Sequence, residues 1–114
     1  MKKLFVIGVI TFFFACTPKG SKSTAASNST EPTDASLTAA KTKFPDVTID
    51  VLKKGHSIYY GACTRCHGAK NIVKRDEKEW VGILDDMAPK AKLQPEEKDA
   101  VWKYIMSVKL TEAK

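Results

Sequence analysis

Hydrophobic and polar positions divide this chain into three stretches with different rhythms. After Met1-Lys2-Lys3, residues 4–15 are almost all apolar, rich in Phe and Ile. That run is too short to span a bilayer and predicts the h-region of an export signal over residues 1–15. From Thr17 to about Lys43 the chain is mostly Ser, Thr, Ala, Lys, Asn and Pro, with a single Leu. Such a segment buries too little apolar surface to offset its ordering entropy, so residues 16–43 are expected to form a flexible tether. Its root-mean-square span would be roughly 30 Å on linker scaling.

From Phe44 onward the apolar residues recur at helical spacing. Val51, Leu52, Gly55, Ile58, Tyr59 and Ala62 mark a first helix, with Thr48 or Asp50 as its N-cap. A glycine in mid-helix costs about 1 kcal/mol against Ala, so Gly55 is expected to permit a close helix crossing. A loop from Ala69 to Arg75 precedes a capping-box pattern, Asp76 with Glu79. The helix it opens carries Trp80, Ile83, Leu84 and Met87 on one face, and Pro89 is expected to end it at about Met87. Leu93-Gln94-Pro95-Glu96-Glu97 starts a terminal helix, with Pro in the first turn and two acids against the dipole. Val101, Trp102, Ile105 and Val108 form its buried face, flanked by Tyr104 and Met106, and it is expected to cross the first helix near Gly55 and Tyr59. No strand pattern occurs, so the expected fold is all-α, three to four helices over residues 44–114.

Composition sharpens the picture at two points. Residues 13–16, Phe-Phe-Ala-Cys, resemble a bacterial lipobox, with Phe where Leu is usual. Cys16 is therefore expected to carry lipid, which places the protein exported and lipid-anchored on the periplasmic side of a bacterial membrane. An ordinary cleaved signal peptide, or an uncleaved anchor with Cys16 as a spare thiol, is the competing reading. The formal charge of +6 falls by two when Lys2 and Lys3 leave with the signal. The lysines are dispersed with no basic helix face, which argues against nucleic acid as a partner.

The chemistry concentrates in Cys63-Thr64-Arg65-Cys66-His67, a C-x-x-C-H sequence followed by Gly68. A C-x-x-C pair alone also serves zinc sites and thiol-disulfide enzymes. Zinc would need two further ligands, and only His56 and Cys16 are on offer. A thioredoxin-like site belongs in a βαβ setting. With His directly after the second Cys, the motif points to covalent attachment of one haem c, the thiols reaching its vinyl groups and His67 taking the proximal position. The cysteines are then accounted for: Cys63 and Cys66 on haem, Cys16 on lipid. A domain of about 70 residues is small for a self-sufficient core, and a covalent porphyrin supplies an apolar centre. Met87 is the candidate sixth ligand, since it lies where the backbone is expected to leave its helix. Met106, His56 and an open site are the alternatives.

With these residues in place, the chain resembles the class I monohaem cytochrome c family over about residues 50–110. The matching residues are Gly55, Tyr59, Cys63-x-x-Cys66-His67-Gly68, Trp80, Met87, Leu93-x-Pro95-Glu96-Glu97 and Tyr104-Ile105. The resemblance implies an all-α fold with crossed terminal helices, thioethers to Cys63 and Cys66, and axial ligation by His67 and Met87. It also implies one-electron transfer between redox protein partners at an exposed haem edge, by a chain expected to be monomeric. The 20 positions from His67 to Met87 make a short interval, which would open the haem to water and lower its potential. Arg65, Lys70, Lys74 and Arg75 surround the motif and could steer an acidic partner. A filled iron leaves no place for substrate, so the expected role is carrier rather than enzyme. The competing function is a haem with an open or displaceable sixth site, a peroxidase or gas sensor.

Overall fold

The computed structural model describes residues 31–65 and 68–112, and among these there are four α-helices and no strand. The first helix, α1 (Asp34–Lys41), falls inside the segment read from composition as tether. Thr33 caps it and shares a reciprocal capping box with Ser36, whose hydroxyl takes the Thr33 N–H at 2.7 Å. A helix of eight residues is marginal on its own. It is held by packing: Ala40, Val47 and Leu52 are buried together, with Leu37, Phe44 and Val51 against them. The folded unit therefore begins ahead of Phe44, and the tether reading fails for residues 34–41; residues 1–30, with the expected signal and Cys16, lie outside the described residues.

Thr48 caps α2 (Ile49–Ile58) by accepting from the Val51 N–H. The helix buries Leu52 and Gly55, then widens into a π-helical turn, Tyr59–Cys63, which ends as the Thr64 hydroxyl donates back to the Tyr60 carbonyl at 2.8 Å. Gly55 marks the crossing with α4 (Pro95–Glu112). A Cβ at this position would stand 2.1 Å from the Ala100 carbonyl oxygen and 2.7 Å from the Tyr104 Cβ. No side chain fits there, which is why the helix tolerates the least helix-favouring residue after proline.

Asp76 and Glu79 form the expected capping box of α3 (Glu77–Lys90), at 2.7 and 2.9 Å. The helix does not stop at Met87; it continues through Pro89 to Lys90. The reason lies at its C-terminus. Pro89 gives up one intrahelical donor in the last turn, and the end is closed by a Schellman motif. The Leu93 N–H bonds the Ala88 carbonyl at 2.9 Å and the Lys92 N–H bonds that of Pro89 at 3.1 Å, with Lys92 left-handed at φ 56°.

Helix α4 starts where expected, and the Glu97 carboxylate accepts from the Gln94 N–H at 2.9 Å. Because α1 and α2 cover one side and α3 another, its buried surface is wider than a single stripe: Tyr104, Met106 and Ser107 are buried along with Val101, Ile105 and Val108, while Trp102 is half-buried. The main core joins Tyr59, Ile72, Trp80, Leu84, Val101, Tyr104, Ile105 and Val108. No described helix is long and apolar enough to cross a membrane.

Candidate functional site

Where the π-helical turn meets α3, the packing leaves a narrow apolar crevice whose enclosed space is about 20 Å³. Tyr59, Cys63 and Thr64 line it from the turn, Gly68 and Lys70 from the following loop, and Trp80, Ile83, Leu84 and Met87 from α3. The π-helical turn sets where Cys63 points, because adding a residue to a turn changes the face that the following side chain occupies. On the other wall, Met87 lies one turn beyond Ile83 and Leu84, on the stripe that the helical period predicts.

The structure thus brings Cys63 and Met87 to one apolar crevice. Cys66 and His67 lie outside the described residues. Cys63 is half-buried and burial pushes its thiol pKa upward, so the unmodified group is a protonated thiol rather than a reactive thiolate. Its other neighbours are aromatic. Tyr59 contacts Trp80 edge-on at 6.0 Å, and the Trp80 indole N–H is satisfied by the Ile72 carbonyl at 2.9 Å. Trp102 does not share this wall; it lies beside Val81, Asp85 and Lys98.

The other candidate ligands sit elsewhere. Met106 is buried in α4 and does not line the crevice. His56 packs between Tyr60 and Tyr104, with ring centroids at 4.9 and 5.3 Å, and its Nε2 is sealed from solvent. Both residues behave as packing groups. Met87 also borders a second groove with Ala62, Arg65, Lys90, Ala91 and Lys92, so cations rim the mouth of the crevice on that side. Sequence reasoning missed Tyr59 as a wall residue; its place four positions before Cys63, one helical turn away, was the available signal.

Comparison with known proteins gives a partial likeness. The chain is 37% identical over 49 residues to the cytochrome c-type protein TorC of Escherichia coli K12, and equally to that of Escherichia coli O157:H7. The likeness is to cytochrome c-type proteins. It spans 43% of this chain and only 13% of the length of each relative. No family model matches the chain, and no solved structure matches it. The crevice is narrow, but its lining has the chemistry to hold an apolar group. Its walls are apolar and aromatic, it is open on one side, and it has a cysteine on one wall and a thioether on the other.

Proposed function

We propose that this chain is a monohaem cytochrome c that carries single electrons between redox protein partners. Cys63 and Cys66 would hold the haem through thioethers, with His67 as proximal and Met87 as distal ligand. The observation that carries the reading is the meeting of Cys63, the first residue of the C-x-x-C-H motif, with Met87 across one apolar crevice. When bound, the haem supplies a one-electron couple whose potential is raised by thioether ligation and burial.

The chain's own residues then have simple duties. Tyr59, Trp80, Ile83 and Leu84 exclude water from the crevice, which keeps the local dielectric low and makes the redox couple sensitive to nearby charge. Met87 stands on a helix that runs on past it to Lys90, so its backbone is fixed while its unbranched side chain can adjust to bring the sulfur to the crevice. Little needs to rearrange as an electron arrives or leaves. Arg65 and Lys70 border the opening and would steer acidic partners towards it. Lipid on Cys16, followed by the residues up to Pro32, would hold the domain close to the periplasmic face of a bacterial membrane while leaving it free to turn.

An optical spectrum of the protein matured with haem-ligation machinery tests the reading, with Met87→Ala beside it. The expected wild type shows the methionine-to-iron charge-transfer band and does not bind carbon monoxide. The expected variant loses the band and gains carbon monoxide binding. Survival of the band in Met87→Ala removes Met87 as ligand, and a wild type that binds carbon monoxide makes the haem an open-site protein. A colourless wild type with alkylatable Cys63 and Cys66 sinks the proposal altogether.

A further inference from the structure

The loop 68–75 follows the C-x-x-C-H motif and supplies Gly68 and Lys70 to the crevice wall. Three side chains from three different elements donate hydrogen bonds to its carbonyls. Tyr59 Oη donates to the Lys70 carbonyl at 2.5 Å, Trp80 Nε1 to that of Ile72 at 2.9 Å, and Lys109 Nζ to that of Arg75. The Trp80 bond fixes a residue that the core already holds, since Ile72 is 5% exposed. The Lys109 bond sits where the loop returns to α3.

The Tyr59 bond acts at a different place. Ala69 and Lys70 are both exposed, so no buried side chain anchors that part of the loop. The Tyr59 ring lines the crevice, and the carbonyl it grips belongs to a residue that lines the crevice as well. The ring is itself held by Tyr60, Trp80 and Tyr104, with centroids 5.0 to 6.0 Å away. A donor on a fixed, buried ring competes well for a loop carbonyl.

We propose that the Tyr59 hydroxyl is a latch that keeps the loop 68–75 closed against the crevice, which makes Tyr59 a positioning residue for the group held there. The latch stands on the geometry alone; its consequence for a haem rests on the function proposed above. Burial raises the phenol pKa to about 12, so the hydroxyl keeps its proton and remains a donor at neutral pH.

Tyr59→Phe removes the hydroxyl and keeps the ring. Tyr60→Phe is the control, because that hydroxyl bonds Tyr104 on the α4 side. Native-state trypsin digestion of the full-length holoprotein, read by mass spectrometry, reports cleavage after Lys70, Lys74 and Arg75. The expected result is about fivefold faster loop cleavage in Tyr59→Phe, the loss of one hydrogen bond from the closed state, and the wild-type rate in Tyr60→Phe. Wild-type cleavage in Tyr59→Phe overturns the latch, and so does equal acceleration in both variants. In coloured protein the reduction potential should fall in Tyr59→Phe, as water gains the crevice, and stay put in Tyr60→Phe; an unmoved potential overturns the latch's role at the bound group. A colourless protein whose loop still loosens in Tyr59→Phe upholds the latch and sinks the haem reading. A coloured protein with an indifferent loop does the reverse.

Discussion

His56 shows how one side chain can be chemically idle and still leave a mark on the protein. Its ring sits between Tyr60 and Tyr104, and its Nε2 has no hydrogen-bond partner among the described residues. Burial lowers its pKa below the ordinary 6.5, opposed in part by the nearby Glu31 carboxylate. The sign of the consequence follows from linkage. Above pH 6.5 the imidazole is neutral in both the folded and the unfolded chain, and its contribution to stability is complete. As pH falls below 6.5, the unfolded chain takes up the proton first, so stability declines towards the lower native value. Thermal melts should therefore show a falling Tm between pH 7.5 and pH 5.5, with a shallower fall in His56→Phe, which preserves the ring stack. Equal slopes in the two proteins would show that the site does not govern acid sensitivity in this range.

Among the elements, the crossing of α2 on α4 is the contact most tightly constrained by sequence. Gly55 lies directly against the Ala100 carbonyl, and the atom that a Cβ would meet is backbone, which cannot swing aside. Overpacking a core typically costs 1–3 kcal/mol, and a backbone clash belongs at the upper end. Gly55→Ala should lose about 3 kcal/mol despite its better helix propensity, a drop of more than about 10 °C in Tm for a domain of this size. A neutral or raised Tm would mean that the helices do not meet as described. This crossing was legible from the sequence because a mid-helix glycine needs a reason. So were the caps at Thr48 and Asp76, since capping is local chemistry written in neighbouring residues. Helix α1 was not, because Leu37 and Ala40 make a stripe too slight to detect, and their partners Val47 and Leu52 come from later in the chain. Pro89 misled for a related reason: the Schellman closure that accommodates it uses Lys92 where the usual signal is Gly. At the site, the motif singled out Cys63 and the α3 stripe Met87, which line one crevice, but neither signalled the π-helical turn or the Tyr59 hydroxyl bond to Lys70, which depend on how the loop folds back.

For the whole molecule, what matters is how charge is distributed around the crevice mouth. The chain carries a formal +6 from nineteen lysines and arginines, and four of the lysines are spent locally. Lys43 pairs with Glu77, Lys90 with Asp86, Lys98 with Asp85 and Lys103 with Asp99. Arg65, Lys70 and Lys92 border the crevice or its adjoining groove and form no ion pair among the described residues. Exposed ion pairs add little to stability, yet they cancel field, so the three unpaired cations leave a positive potential beside the opening. An anionic reagent should then be drawn to the proposed site of electron exchange and a cationic one repelled from it. Screening shrinks that bias as the Debye length falls to about 8 Å at physiological ionic strength and about 3 Å at 1 M. Stopped-flow oxidation of the reduced holoprotein by ferricyanide should slow several-fold between 10 mM and 500 mM salt. Oxidation by a tripositive cobalt complex should speed up over the same range. Reversing the charge at Arg65 and Lys92 together should flatten both dependences, whereas reversing Lys98, on the Trp102 side and already paired, should leave them nearly intact. If ferricyanide and the cobalt complex respond to salt alike, electrons do not leave through the mouth that these three cations frame.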